Sequence, residues 1–157
     1  MSEKQMNTEQ KTIAALDQLG AEIVWLGTSG VDSVYFTQVH RITDADLQHL
    51  KGLTSLTKLK LNHSPITDAG LKCLQNLTKL VQLHLADTQI TDAGLEHLKS
   101  LKNLGFLDLS NTQVTNAGLE YLKPFKKCKT IRLSGTNVTV NGVTKLKQAL
   151  TDCKITQ

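Results

Sequence analysis

The sequence is poor in aromatic residues, proline and cysteine. Aromatic side chains make up 4% of it, and it holds two prolines and three cysteines. A small, odd number of cysteines argues against a disulfide scaffold and favours a reducing compartment. Because neither Cys-x-x-Cys nor His-Glu-x-x-His spacing occurs, we expect no metal site and no cofactor.

Long apolar runs are also missing. The longest mainly apolar stretch, Ala21–Leu26, is far shorter than the roughly 20 residues that a membrane span needs. The polar start MSEKQMNTEQK has no apolar segment typical of a secretory signal. We therefore predict no membrane span and a cytoplasmic location. A secreted effector and a trimmed form of a longer protein are the alternatives.

Leucine and threonine, in contrast, are abundant, with 26 and 19 of the 157 residues. They recur because four segments align without gaps at a period of 24 residues: 53–76, 77–100, 101–124 and 125–148. A degenerate fifth unit, Arg41–Gly52, precedes them. Internal repeats of this length are typical of solenoids, in which neighbouring units stack and bury one continuous core.

The unit at 77–100 shows how each repeat is predicted to fold. Leu83 and Leu85 alternate with polar residues, which indicates a strand. Thr91 is a candidate helix N-cap, and Leu95 and Leu98 form the inward stripe of a short helix. Each unit is therefore predicted to be a strand, a turn and a short helix.

When the repeats are aligned, small residues occupy two equivalent positions in successive units, and each set of equivalent residues is called a column. Glycine in a helix costs about 1 kcal/mol relative to alanine, so we interpret one column as a site of close approach between adjacent helices: Gly70, Gly94, Gly118 and Gly142. The other is predicted to hydrogen-bond the backbone of the next unit: Ser64, Thr88, Thr112 and Thr136. The first unit instead has Asp46, which with Thr43 resembles a capping box.

The pattern L-x-x-L-x-L-x-x-T-x-I-T-D-A-G-L-x-x-L, over roughly residues 41–148, resembles the leucine-rich repeat family. The 24-residue bacterial repeats are the nearest in kind, and ITDAGL is also similar to the cysteine-containing repeats of F-box proteins. The resemblance implies an α/β fold, a right-handed solenoid with a parallel sheet on its concave face and short helices on its convex face. We expect a single domain, 1–157, with an N-terminal cap (1–40), repeats (41–148) and a C-terminal cap (149–157).

Both ends of such a stack need a cap. A helix over 8–19 and a hairpin of Ala21–Leu26 and Asp32–Thr37 are predicted to close the first edge. A last strand within Leu150–Ile155, carrying Cys153 or Ile155, is predicted to close the second. We expect Trp25 to pack inside the first cap, with a surface binding role as the alternative.

The register of the second hairpin strand conflicts with the period. A strict period of 24 points Tyr35 and Thr37 inward, although Val34 and Phe36 are better core residues. We therefore predict a one-residue irregularity between this strand and Ile42.

Two further features of the repeats involve cysteine. Cys128 occupies a leucine position, and we expect a buried, unreactive thiol there. One convex column is interpreted as solvent-facing surface rather than a metal site: His49, Cys73, His97 and Tyr121.

The strand residues between the inward leucines form columns about 4.8 Å apart on the concave face. Varied side chains on a uniform frame suit recognition, and Phe106 is the candidate exposed aromatic residue. We predict a partner-binding face made of Lys58, Lys60, His63, Gln82, His84, Asp87, Phe106, Asp108 and Arg132. His84 beside Asp108 is interpreted as an exposed ion pair, against the alternatives of an oriented base and of a metal site with His63 and Asp87.

The net charge of +4 is unevenly distributed. Residues 1–50 carry seven acidic and three basic side chains, whereas residues 51–157 carry seven and fifteen. A basic patch precedes the last strand of the repeats: Lys123, Lys126, Lys127 and Lys129. We interpret this patch as a lysine-rich rim that is exposed to solvent, with binding of a polyanion or nucleic acid as the alternative.

No nucleophile has an obvious place beside His84, and the caps and repeats occupy nearly the whole chain. We therefore predict a non-catalytic module that binds an unidentified protein partner. Nucleic acid is not the expected partner, and a monomer is the expected oligomeric state.

Overall fold

The computed structural model describes residues 8–25, 30–36 and 42–157. Seven strands form one sheet in the order β1 to β7. The pair β1 and β2 is antiparallel, and every later neighbour is parallel. The strands are Ala21–Trp25, Val31–Phe36, Lys58–Lys60, Gln82–His84, Phe106–Asp108, Thr130–Arg132 and Lys154–Thr156.

Short helices connect the parallel strands. The α-helices α1 to α4 are Thr8–Gln18, Asp68–Leu71, Asp92–Glu96 and Val140–Ala149. Three 3₁₀ helices complete the convex side: Asp46–Gly52, Lys72–Leu74 and Gly118–Leu122. The α/β solenoid expected from the repeats is confirmed, with a parallel sheet on one side and short helices on the other.

The 24-residue period sets the register of the sheet. Leu59, Leu83, Leu107 and Ile131 pair in sequence across β3 to β6, and all four side chains are fully buried. Because each unit places its apolar residues in the same positions, the core is one continuous stack rather than a separate core for each unit.

A ladder of side-chain hydrogen bonds joins the units at the start of each helix. The N–H and the hydroxyl of Thr91 both donate to the Asp68 carboxylate of the preceding unit, at 2.8 and 2.6 Å. The Thr91 hydroxyl in turn accepts from the Ala93 N–H at the helix N-cap, as predicted. The same carboxylate ladder joins Asp44 to Thr67 and Asp92 to Thr115, and Asn116 takes its place beside Thr139.

The turn hydroxyls do not form the predicted ladder. Each donates to a carbonyl three residues earlier in its own unit, as Thr88 does to Leu85 at 2.6 Å. Ser64, Thr112 and Thr136 repeat this bond. The prediction was wrong because a hydroxyl at a turn can satisfy a local carbonyl, which needs no neighbouring unit.

The glycine column has the packing reason that the sequence suggested, but the neighbour is a side chain. A Cβ on Gly94 would lie 2.3 Å from Oδ1 of Asp68, the same oxygen that accepts the Thr91 N–H. Asp46 takes the equivalent position of the first unit, where its carboxylate accepts from the N–H and the hydroxyl of Thr43. The predicted capping box is only half formed, because the Asp46 N–H donates to the Thr43 carbonyl and the helix begins after Ala45 without a side-chain cap.

The N-terminal cap is a helix and a hairpin, as expected. Val34 pairs with Leu59, and both Val34 and Phe36 are buried, so β2 is one residue out of the 24-residue period. This offset is the one that the sequence predicted, and the irregularity expected between β2 and Ile42 falls on residues 37–41, outside the described residues. The predicted strand ends at Leu26 and Thr37 also lie outside them.

Trp25 does not pack inside the cap. Its side chain is 50% exposed and borders an open groove between α1 and β1. The strand is irregular between Val24 and Trp25, which places the indole at the edge of the cap. At the other end β7 closes the sheet, and of the two candidates Ile155 is the strand residue that pairs with Ile131, whereas Cys153 lies before the strand.

Candidate functional site

The concave face consists of the strand residues that alternate with the buried core residues. Register pairing arranges them in two columns across β2 to β7. The outer column is Ser33, Lys58, Gln82, Phe106, Thr130 and Lys154. The central column is Tyr35, Lys60, His84, Asp108, Arg132 and Thr156.

Phe106 is the centre of a stacked group on this face. The His84 and Phe106 rings lie 4.7 Å apart between centroids and are tilted by 34°. The Arg132 guanidinium lies over the Phe106 ring, with its central carbon 5.2 Å from the ring centroid. Phe106 is therefore half-buried between two neighbours, and not the openly exposed aromatic residue that the sequence suggested. Contacts of these kinds stabilise a fixed geometry by about 0.5–1.5 kcal/mol each.

Asp108 is buried, with 5% of its surface exposed, so the predicted exposed ion pair with His84 is wrong. Its carboxylate accepts from the N–H and hydroxyl of Ser110 at 3.0 and 2.7 Å, and from Arg132 at 3.4 Å. A carboxylate so occupied is poorly placed to orient His84 as a catalytic base. It serves instead to hold Arg132 above Phe106.

His84 is half-buried on the face. Burial lowers the pKa of His84, Lys60 lowers it further, and the Asp108 carboxylate opposes that shift. The imidazole is therefore favoured in its neutral form at neutral pH. A neutral ring beside Phe106 leaves the middle of the face with little charge.

His63 and Asp87 lie at the turns that follow β3 and β4, at the rim of the face. His63, Asp87 and Asn111 have positive φ angles of 60°, 57° and 56°. Asp87 accepts from Asn111 Nδ2 at 2.9 Å, and its other oxygen lies 3.2 Å from His63 Nδ1. Within the described ranges no cluster of three or more His, Cys, Asp or Glu side chains could hold a metal ion.

Tyr35 belongs to the same face, although the sequence analysis did not include it. Lys60 Nζ lies 4.7 Å from the centroid of its ring. Tyr35 was missed because a strict 24-residue period points it inward. The apolar pair Val34 and Phe36, which was noticed, is the signal that would have placed Tyr35 outward.

The basic patch does not form one free positive surface. Lys123 pairs with Glu120 at 2.6 Å, and Lys127 donates to Asn103 at 2.7 Å. Lys126 donates to the carbonyl of Ala149 at 2.8 Å, and Lys129 lies 3.9 Å from Asp152. Lys123 and Lys129 thus face carboxylates, whereas the Lys126 and Lys127 ammonium groups donate to neutral oxygens and keep their charge. The positive charge of the patch is therefore partly neutralised, which reduces its attraction for a polyanion.

The three cysteines are free and buried. Burial raises the pKa of Cys128 to about 12, which agrees with the expected unreactive thiol. Cys73 is buried too, so its assignment to a solvent-facing column was wrong. None of the described helices is long and apolar enough to cross a membrane.

The chain is similar to several solved structures. It is 28% identical to an internalin (InlF) from Listeria monocytogenes, with a TM-score of 0.63, covering 71% of this chain and 31% of the internalin. The ectodomain of the Arabidopsis receptor kinase HAESA, solved with an N-terminal extended IDA peptide hormone ligand, is 15% identical with a TM-score of 0.64, covering 96% of this chain and 33% of that one. The ectodomain of the receptor kinase SOBIR1 from Arabidopsis thaliana is 13% identical with a TM-score of 0.59, and the match covers 95% of this chain and 90% of the SOBIR1 chain.

This chain thus spans about a third of the length of the internalin. The comparison with curated proteins found no match. Residues 52–74, 76–99 and 97–123 match the family model described as Leucine Rich repeat. The buried leucine register, the strand–turn–helix unit and this match agree, and the repeats of this chain are leucine-rich repeats.

Proposed function

We propose that the chain is a non-catalytic protein-binding module that contacts its partner through the concave face. One observation carries this proposal: a continuous strip of half-buried aromatic rings and exposed basic side chains crosses β2 and the four adjacent strands β3 to β6. The strip consists of Tyr35, Lys60, His84, Phe106 and Arg132.

Physical reasons favour recognition at this strip. Aromatic and arginine side chains near the centre of an interface contribute a large share of binding free energy. Here they are already held in place by one another and by the sheet, so little conformational entropy is lost when a partner binds. The frame below them is uniform, whereas the strip differs from unit to unit, which is what specificity requires.

The solved structures support the proposal at the level of the fold. The HAESA ectodomain was solved with a peptide hormone, and a second structure includes a co-receptor. Those partners belong to that protein. What carries over to this chain is that the same fold can present a surface to a polypeptide.

Affinity capture from host lysate, read by mass spectrometry, tests the proposal. The double variant His84→Ala/Phe106→Ala removes the central stack. Tyr121→Ala is the matched control, because Tyr121 is a half-buried aromatic residue on the convex side. We expect a specific partner to be depleted at least about tenfold by the double variant, which corresponds to about 1.4 kcal/mol, and retained by the control.

The proposal fails if the captured proteins are the same for the double variant, the control and the unaltered chain. Circular dichroism of all three proteins establishes that each is folded. Loss of the partner in Tyr121→Ala alone would assign binding to the convex side, and that result would also refute the concave-face proposal.

A further inference from the structure

The concave face carries an excess of positive charge. Four basic residues lie in its two columns: Lys58, Lys60, Arg132 and Lys154. Among the ion pairs of the described residues, only Arg132 of these four takes part. Lys58, Lys60 and Lys154 thus lack a carboxylate within salt-bridge distance in that part of the chain.

The acidic side chain on the same columns does not offset this charge for an incoming ligand. Asp108 is buried and its oxygens are bound by Ser110 and Arg132. Arg132 itself is 54% exposed, so part of its guanidinium remains accessible. The face therefore presents cations outward and keeps its carboxylate covered, which favours a partner of negative charge.

The spacing of the cations limits the kind of partner. Lys60 lies on β3 and Arg132 on β6, three strand spacings away, or about 14 Å. An extended polypeptide advances about 3.3 Å per residue, so about four residues span that distance. Between the two cations lie His84 and Phe106, whose ring centroids are 4.7 Å apart and whose planes are tilted by 34°. Together the two rings form a seat of low charge.

We infer that the partner presents an extended acidic segment, with two carboxylates about four residues apart and an apolar side chain between them. The segment crosses the strands, one carboxylate at Lys60, the apolar residue on the His84 and Phe106 rings, and the second carboxylate at Arg132. This inference rests on the proposed function, since it assigns the partner of the same face.

A protein segment fits these features better than a nucleic acid does. A polyanion gains most from densely clustered cations, but the clustered lysines 123–129 lie off this strip and have intramolecular partners. The strip instead combines two separated cations with an aromatic seat. That combination matches separated carboxylates with an apolar residue between them.

Selection of a phage-displayed random dodecapeptide library on the immobilised protein tests the inference. We expect the enriched peptides to be rich in Asp and Glu, with pairs about four residues apart flanking an apolar residue. Synthetic copies of these peptides, and copies with Gln and Asn in place of Glu and Asp, are then titrated by fluorescence anisotropy. The amide copies are expected to bind at least about tenfold more weakly.

Charge reversal on the protein supplies the matched pair of variants. Lys60→Glu reverses a positive charge of the strip and is expected to lower the affinity for the acidic peptides at least about tenfold. Lys72→Glu makes the same change of charge on the convex side, where Glu96 and Glu120 already occupy the equivalent positions. We expect Lys72→Glu to bind within about twofold of the unaltered protein, since its charge lies off the face.

The results distinguish the two proposals. Peptides that need Phe106 but show no acidic enrichment would refute the acidic partner and leave the concave-face function standing. Peptides that bind His84→Ala/Phe106→Ala and Lys60→Glu unchanged would refute both. Enrichment of no peptide would overturn the inference, and so would a random-sequence DNA oligonucleotide that binds more tightly than the acidic peptides in a Lys60-dependent way.

Discussion

Replacing Gly94 by alanine tests whether the carboxylate ladder holds the units together. A Cβ at this position would lie 2.3 Å from Asp68 Oδ1 and 3.1 Å from Asp68 Cγ. The carboxylate would have to move, and it accepts two hydrogen bonds from Thr91 at 2.8 and 2.6 Å. Hydrogen bonds to a charged group contribute about 1.5–3 kcal/mol each.

If the carboxylate shifts enough to lose one of these bonds, Gly94→Ala costs about 1.5–3 kcal/mol. Alanine recovers about 1 kcal/mol through its better helix propensity. The net destabilisation is therefore about 0.5–2 kcal/mol, although the same substitution in an open helix would be stabilising. For a chain of this size that change lowers Tm by about 1–8 °C. Urea unfolding followed by circular dichroism measures it.

Gly52→Ala is the matched control, because a Cβ there meets nothing within 4 Å and its φ is not positive. We expect Gly52→Ala to be neutral or stabilising by about 0.4–1 kcal/mol. The double variant Asp68→Ala/Gly94→Ala removes the obstacle, so it is expected to be no less stable than Asp68→Ala alone. The reasoning is refuted if Gly94→Ala behaves like Gly52→Ala, or if the effects of the two substitutions simply add.

Three further outcomes are expected. The buried Thr88 hydroxyl donates to the Leu85 carbonyl, so Thr88→Val is expected to cost about 1 kcal/mol in urea unfolding, and an unchanged midpoint would contradict this role. Hydrogen bonds from Thr57 and Ser33 lower the pKa of Asp32. The carboxylate therefore stabilises the fold above about pH 4, and this stabilisation is lost as the pH falls through the lowered pKa. We expect Asp32→Asn to be less stable than the unaltered protein at pH 7, and the difference in unfolding free energy to disappear in acid. Burial raises the pKa of Cys128 to about 12 and also raises that of Cys73 and Cys153. A thiol reagent is therefore expected to label the folded protein far more slowly than the unfolded protein. Equal labelling rates would show that the thiols are accessible.

The strands, their register and the buried leucine positions could be predicted from the sequence because they repeat. Leucine positions such as Leu83 and Leu107 recur at a fixed period, and period alone determines which strand residues pair. The hydroxyl columns were harder. A threonine after a strand can bond a carbonyl of its own unit or of the next, and composition does not distinguish these choices. The structure uses Thr88 locally and Thr91 between units.

The face was predicted in outline but not in its environment. Asp108 was expected to be exposed because it lies beside His84 on the concave face of an open sheet, which excludes little water. Its burial depends on Ser110, two residues later, and on Arg132, one repeat later. Trp25 was expected to pack inside the cap, but it is half exposed at the end of a strand whose register shifts between Val24 and Trp25. Both errors involve tertiary arrangements that no period encodes.

The two ends of the strip are held in place by different means. Arg132 is fixed by Asp108, which Ser110 holds from the frame below, so its position over Phe106 is set before any partner arrives. Lys60 is positioned against the ring of Tyr35 and has no carboxylate within salt-bridge distance in the described part of the chain. A carboxylate at Arg132 must therefore share the guanidinium with Asp108, whereas one at Lys60 meets no competitor. It follows that Lys60 contributes more of the attraction for an acidic segment, and Arg132 more of its alignment.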